Sequence, residues 1–290
     1  MTLFAAIDIG SNSTRLLIAE KKQEDLILRH TMLRTTRLAE KMNASKVIST
    51  QAAVRTLEAL LCMKACIDKF GIEKVFVGAT SAVREATNGA KFVRFVHEKT
   101  GLQIRVLSAQ EEANLGYQGV RKGLQIARPL VVIDIGGGST EIIYEQNLKA
   151  FSFSAALGAV TCTESPLTPT EVFRKLKPGL DKAKGTGDYH VAAVGGTATT
   201  LAAISKGLAV YKPELIHGSK VLVAELAKIM LDLSSMDIPQ RKEVVGLQAD
   251  RADIIVSGML ILWVILTYLD VDDVIISEWD ILQGMVLALK

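Results

Sequence analysis

Residues 5–18 read Ala-Ala-Ile-Asp-Ile-Gly-Ser-Asn-Ser-Thr-Arg-Leu-Leu-Ile, and residues 131–144 read Val-Val-Ile-Asp-Ile-Gly-Gly-Gly-Ser-Thr-Glu-Ile-Ile-Tyr. The two stretches align without a gap, Asp134 following Asp8 by 126 residues (134 − 8). Each is an apolar strand ending in Asp-Ile-Gly, a tight polar turn and a second apolar strand, the pattern of a β-hairpin. Self-similarity at a spacing close to one domain predicts two related domains, each opened by the same hairpin. Such a pseudo-repeat would set the two turns facing one another across a cleft.

The sequence between the hairpins keeps an α/β rhythm. A third strand is expected near 26–33, then a helix from about Thr50 to Phe70 with apolar residues at 53, 57, 60, 61 and 67, closed by Gly71. A strand at 74–79, a short helix from Ser81, a helix from Ala90 to Thr100 closed by Gly101, and a strand at 103–107 complete the first half. In the second half Leu148 to Ala155 reads as a strand, and Thr168-Pro169-Thr170-Glu171 is a capping box with proline at the first helical position. A strand at 190–194 runs into Gly195-Gly196-Thr197 and a helix; a long apolar helix near 250–268 precedes a strand from Val271 to Ile276. The repeat places the boundary between domains 1–124 and 125–290, with the final helix, about 278–290, packing back on the first domain.

A chain of 290 residues exceeds the roughly 100 to 200 typical of one domain, which agrees with two. With 49% hydrophobic and 22% charged residues it can bury a sizeable core, which excludes a disordered chain. Net charge is only +3, from 34 basic and 31 acidic residues without a basic stripe, so nucleic acid is not an expected partner and any polyanion must be held by a local site. Cys62, Cys66 and Cys162 form no Cys-x-x-Cys pair, which argues against a disulfide framework and a structural zinc site; Cys62 and Cys66, four apart, are expected as two core positions on one helix face. The apolar run Ile254 to Tyr268 is short of the ~20 residues needed to cross a bilayer and is bounded by Asp253 and Asp270, so it reads as a buried helix and no membrane association is expected. The first residues lack a basic segment and reach a carboxylate at Asp8, unlike a secretory signal, which predicts a cytoplasmic protein.

Phosphate oxygens need hydrogen-bond donors delivered without crowding, and turns of glycine and serine let backbone N–H groups approach an anion. Gly10, Ser11, Asn12 and Ser13 in the first repeat, and Gly136, Gly137, Gly138 and Ser139 in the second, have that chemistry; a steric reason for one such turn is common, but two behind equivalent aspartates point to phosphate. Gly196 and Thr197 lie in a third turn that opens a helix, where N–H groups and dipole favour an anion, although a plain helix cap is an equal alternative. Asp8 and Asp134 next to a polyanion require a bridging cation. Mg²⁺ suits, since it takes oxygen ligands and is shared by one or two carboxylates and substrate phosphates. Glu141, seven residues after Asp134, is a further candidate ligand; its counterpart in the first repeat is Arg15.

In order and spacing, Asp8 to Ser13, Thr80-Ser81-Ala82-Val83-Arg84-Glu85-Ala86-Thr87-Asn88, Glu111-Glu112-Ala113, Asp134 to Glu141, Gly195 to Thr200, His217-Gly218 and Arg251-Ala252-Asp253 resemble the exopolyphosphatase and guanosine pentaphosphate phosphohydrolase family. The resemblance runs from residue 5 to about 284. It implies two actin-like domains of the acetate kinase, hexokinase and actin superfamily, with a ribonuclease H-like core and an interdomain cleft. It also implies Mg²⁺-dependent release of orthophosphate from polyphosphate or from guanosine pentaphosphate, with guanosine tetraphosphate as a related ligand. By the same likeness Glu112 is the general base, Asp134 the metal-linked carboxylate, Arg84 a phosphate clamp and the two turns the cradle. Ser108-Ala109-Gln110-Glu111 is a capping box, which commits Glu111 to the helix start and leaves Glu112, about 100 degrees round, to face the cleft. The structural alternative for Arg84 is a salt bridge to Glu85 or Glu111.

Two departures from the family pattern stand out. Family members often end in a segment resembling Ser-Asp-x-Gly-Leu-Arg-Glu-Gly, whereas this chain has Ser277-Glu278-Trp279-Asp280-Ile281-Leu282-Gln283-Gly284. None of His30, His97, His190 and His217 is followed by aspartate, so the His-Asp metal site of longer members is not expected. A sugar or acetate kinase of the same fold and a non-catalytic guanosine tetra- or pentaphosphate sensor remain as other readings. The sequence does not rank polyphosphate against guanosine pentaphosphate, and it leaves the oligomeric state, a homodimer included, open.

Overall fold

The computed structural model describes residues 2–22, 25–40 and 42–290, of which 43 and 44 by backbone alone. The chain forms two compact units, Met1–Gly119 with Ile281–Lys290, and Val120–Asp280. The first unit opens with β1 (Leu3–Ile9), β2 (Ser13–Lys22) and β3 (Asp25–Thr35), followed by α1 (Met42–Ser45), α2 (Thr50–Lys69), β4 (Val75–Ala79), α3 (Ser81–Glu85), α4 (Gly89–Thr100), β5 (Ile104–Val106) and α5 (Ala109–Leu124). The division between units falls within α5, at Gly119 and Val120.

In the second unit the order is β6 (Leu130–Ile135), β7 (Thr140–Gln146), β8 (Lys149–Ala155), α6 (Ala159–Glu164), α7 (Pro169–Lys184), β9 (His190–Val194) and α8 (Gly195–Ser205). It continues with α9 (Pro213–Ile216), β10 (Lys220–Leu222), α10 (Val223–Ser234), α11 (Ile238–Lys242), a 3₁₀ turn at Ala249–Arg251, α12 (Ile255–Leu269) and β11 (Asp273–Ile276). The last helix, α13 (Ile281–Ala288), belongs to the first unit and packs on β1, β2 and β4.

The two sheets share one topology. The first has the order β3-β2-β1-β4-β5 and the second β10-β11-β9-β6-β7-β8, so that β6, β9 and β11 take the places of β1, β4 and β5, and β10 adds one antiparallel edge strand. Within each sheet the opening hairpin is antiparallel and the next strand pairs parallel to its first arm. In register Asp8 stands opposite Arg15 and Asp134 opposite Glu141, so the sequence repeat is a structural repeat down to single residues. This is the two-domain α/β architecture expected from the hairpins, and the actin-like one that the family resemblance implies.

The central strands carry near-continuous apolar runs because helices cover them. In the first unit Ile7, Ile9, Leu16 and Ile18 form the core with Leu60, Met63 and Ile67 of α2 and Phe92 and Val96 of α4. The second core centres on α12, apolar almost all round, which packs against α6, α7, α8 and α10. No helix among the described residues is long and apolar enough to cross a membrane.

Some local expectations are corrected. The buried face of α2 runs through Ala52, Thr56, Ala59, Leu60, Met63 and Ile67, which leaves Leu61 and Cys62 exposed; the 3.6-residue period sets a stripe that a count of apolar residues placed too far round. Cys62 and Cys66 are therefore not a core pair; Cys66 is half-buried and Cys162 is the buried cysteine. The long apolar helix begins at Ile255, after the 3₁₀ turn, and the strand beyond it begins at Asp273.

Candidate active site

In the first unit the turn between β1 and β2 is held from one side. Gly10 N–H donates to Ser13 O at 3.0 Å, the Ser11 carbonyl accepts from Ala39 at 2.9 Å, and the Asn12 carbonyl accepts from Thr36 at 3.0 Å and Arg37 at 2.8 Å. The Ser11 and Ser81 hydroxyls lie 3.1 Å apart, tying the turn to the start of α3. The N–H groups of Ser11 and Asn12 make no backbone bond among the described residues, which leaves them as donors for an anion.

The second turn repeats the device. Gly136 N–H donates to Ser139 O at 2.9 Å, while the Gly136 carbonyl accepts from Ala159 and the Gly137 carbonyl from Val160 and Thr161 at the start of α6. The carbonyls of this turn thus satisfy the orphan donors of a helix. Gly158 lets the segments approach this closely, since a Cβ there would lie 2.5 Å from the Gly137 carbonyl. Gly137, Gly138 and Ser139 keep N–H groups without a backbone acceptor among the described residues, and a Cβ at Gly138 would meet only open space.

The hairpins differ in charge. Arg15 binds Asp8 through Nη2 at 2.7 Å and Nε at 3.2 Å, and Asp8 is buried. Asp8, expected as a metal ligand, thus has its Oδ2 engaged by a guanidinium. At the equivalent place in the second unit two acids, Asp134 and Glu141, stand directly opposite each other in the β6–β7 register, with side chains on one face. Ser154 Oγ donates to Glu141 Oε1 at 2.8 Å. Like charges so placed repel, and two hard oxygen donors are what Mg²⁺ accepts when substrate phosphates and water complete its shell. The residues therefore fit a divalent cation, although the described residues contain no cluster of three or more metal-ligating side chains.

Glu112 and Arg84, expected as general base and phosphate clamp, lie side by side in the first unit. Arg84 Nη1 donates to Glu112 Oε2 at 2.7 Å and to the Leu107 carbonyl at 2.8 Å. Neither Glu85 nor Glu111 is its partner: Glu85 pairs with Lys46 at 3.6 Å, and Glu111 with Arg105. The capping box forms as read, Ser108 N–H donating to Glu111 Oε2 at 2.9 Å and Glu111 N–H to Ser108 Oγ at 3.2 Å. Those Ser108 bonds, backbone first, with Arg105 adding to them, hold the Glu111 carboxyl down at about 2. For Glu112, burial pushes the carboxyl above its usual range; Arg84 pulls it down, and Asp8 and Glu85 add to the rise. Two neighbouring acids on one helix are thereby separated into a fixed structural anion and a group able to take up a proton.

At the third turn β9 runs into α8. Gly195 has φ +80°, and a Cβ there would lie 2.9 Å from Asp134 Oδ1, so glycine is required by conformation and by the carboxylate beside it. The Arg251 guanidinium lies on the α-carbon of Gly196, where a Cβ would fall 1.3 Å from Nη1. Thr197 differs from expectation in its side chain, which is buried against Gly258 of α12, so only its N–H remains for an anion. Arg251 itself was legible only as part of a motif. Tyr211, joined beside it by a hydrogen bond to Glu278 of the altered segment, carries no mark in the sequence, since nothing local signals a contact across 67 residues. The altered segment also has its contacts: Glu278 N–H donates to His217 Nδ1 at 3.1 Å, and the Trp279 ring stacks on His217.

Doubled actin-like units, each opened by a glycine-serine turn, with Glu112 held by Arg84 in the first and Asp134 opposite Glu141 in the second, are the features of a phosphohydrolase. The chain belongs to the Ppx/GppA phosphatase family, whose model matches residues 17–289. It is 32% identical to Exopolyphosphatase 2 of Mycobacterium tuberculosis over 315 residues, covering 100% of this chain and 99% of that protein. It is also 32% identical to the bifunctional 3-dehydroquinate synthase/phosphatase of Fusobacterium nucleatum, covering 98% of this chain but 46% of that longer protein. The solved structure of the Aquifex aeolicus member of the family superposes with a TM-score of 0.87 at 29% identity, over 99% of this chain and 97% of the other.

Proposed function

We propose that this protein is an exopolyphosphatase of the cytoplasm that releases orthophosphate from the end of inorganic polyphosphate, and in the same way from the 5′ end of guanosine pentaphosphate, with Mg²⁺ as the cation. The observation that carries the reading is the half-buried Glu112, raised by burial yet held by Arg84. A carboxylate with these properties is suited to removing a proton from water. The similarity to an exopolyphosphatase along the whole of both chains supports polyphosphate as the substrate class.

In this proposal the water oxygen forms a bond to the terminal phosphorus while its proton passes to Glu112. The phosphoanhydride bond breaks, and its electron pair leaves on the shortened chain. Arg84 and the N–H groups of Ser11 and Asn12 in the first unit offset negative charge on the non-bridging oxygens, and the N–H groups of Gly137, Gly138 and Ser139 give the second unit an anion-binding turn of its own. Asp134 and Glu141 would hold the cation, which when bound neutralises phosphate charge.

The test is orthophosphate release from short polyphosphate, long polyphosphate and guanosine pentaphosphate with Mg²⁺. The parent is expected to hydrolyse at least one, and Glu112→Gln to lose about 10²- to 10⁴-fold in kcat while remaining folded. A fully active Glu112→Gln would reject the assigned base, and a folded parent inactive on all three would reject the function.

A further inference from the structure

We propose that α13 is a positioning element for Glu112, acting through Gly284 and Met285 on the two points that fix the Glu112–Arg84 pair. The inference rests on Glu112 as the base and names what holds it in place. All of its parts lie in the first unit.

The first point is α5 itself. A Cβ on Gly284 would lie 1.9 Å from the Leu115 carbonyl oxygen and 2.6 Å from its carbon, so the backbones of α13 and α5 are in contact there. Leu115 is three residues beyond Glu112, one helical turn along. Two further residues of this stretch of α5, Ala113 and Tyr117, are buried.

The second point is Leu107. Met285 lies over Gly78 of β4, where a Cβ would meet its Cε at 2.4 Å and the Leu107 Cδ1 at 3.1 Å. Leu107 supplies the carbonyl that accepts from Arg84 at 2.8 Å. Consecutive residues of α13 therefore support the base through one neighbour and its arginine through another. The helix is also tied at its far end, since Lys21 of β2 donates to the carbonyls of Leu287, at 3.1 Å, and Leu289.

The groups facing Glu112 are Arg84 and Glu85 from α3 and Asp8 from β1, the last paired with Arg15. Only Arg84 favours the ionised form, so a displacement of α5 that opens this ion pair leaves the influences that favour protonation.

The test compares the full-length parent with Gly284→Ala, Met285→Ala and, as a control in the other unit, Gly246→Ala, whose Cβ would press on Ala203 at 2.5 Å. Relieving the Gly284 clash moves the backbones apart by about 1 Å, which is expected to cut kcat about tenfold to a hundredfold with KM little changed. In the ligand-free protein the Glu112 titration midpoint, followed by carbon-13 NMR, should rise in Gly284→Ala and, by less, in Met285→Ala. Gly246→Ala should lower Tm and leave both readouts at the parent values. The proposal is overturned if Gly284→Ala and Met285→Ala lower Tm while kcat and the Glu112 midpoint stay put; should Gly284→Ala not fold, Met285→Ala decides. Because the titration needs no turnover, a shifted midpoint supports the positioning role even if hydrolysis were absent, which would defeat only the assigned function.

Discussion

Arg84 holds Glu112 at 2.7 Å from the nitrogen that also bonds the Leu107 carbonyl. Burial pushes the Glu112 carboxyl up, and Arg84 is the neighbour that pulls it down. Replacing Arg84 by glutamine should therefore raise the Glu112 pKa further. If Glu112 is the base proposed, hydrolysis needs the ionised carboxylate, so the acid limb of kcat should move to higher pH, and part of the lost rate should return as pH increases. Any loss that persists above the limb would measure the phosphate clamp proposed for Arg84. An acid limb that stays where the parent has it would show that the arginine does not tune the base.

The same shift has a consequence for stability. A carboxyl whose pKa is higher in the folded chain than in the unfolded one binds its proton more tightly when folded. Its contribution is most favourable at pH below the unfolded value, and it falls as pH rises through the folded one. Glutamine imitates the protonated form at every pH. Relative to the parent, the Tm of Glu112→Gln should therefore climb between acid conditions and neutrality. A gap that narrows over that range would mean that Arg84 outweighs burial.

Much of this site was legible because its parts are local. The hairpins announce themselves by an apolar period and a glycine-serine turn, and Ser108 and Glu111 sit at capping-box spacing, which commits Glu111 to the helix start, while the role expected of Glu112 is what the family resemblance implies. What local pattern cannot carry is pairing across the chain. The sequence points Arg84 to Glu85 or Glu111, and only folding α5 beside α3 gives it Glu112 instead. Arg251 on Gly196, and Tyr211 on Glu278, belong to the same class of contact. Cys62 failed for a different reason: four-residue spacing fixes a shared face but not which face is buried.

The close approach at Gly158 gives a prediction confined to the second unit. Alanine there would place its Cβ 2.5 Å from the Gly137 carbonyl, against backbone that cannot give way cheaply. Overpacking of this kind costs about 1–3 kcal/mol. Since the Gly136 and Gly137 carbonyls also cap α6, the turn should shift with that helix, and KM for polyphosphate should increase along with the loss of Tm. Lower Tm with unchanged KM would indicate that Gly137, Gly138 and Ser139 do not touch the substrate.

The contrast between the hairpins yields the sharpest test of the metal. Asp8 faces Arg15 in one register and Asp134 faces Glu141 in the other, so an ion pair in the first hairpin stands where the second has two acids. A cation that binds the second pair only when folded raises Tm with its concentration. The parent should show that rise with Mg²⁺, and Asp134→Asn and Glu141→Gln should need about tenfold more Mg²⁺, or greater, for the same effect. Glu141→Arg is the discriminating change, because it copies the first hairpin onto the second. A guanidinium facing Asp134 should raise Tm in metal-free buffer, abolish the response to Mg²⁺ and remove hydrolysis together. If Glu141→Arg kept both the Mg²⁺ response and the activity, the cation would have to be held elsewhere, and Asp134 would lose its assigned role with it.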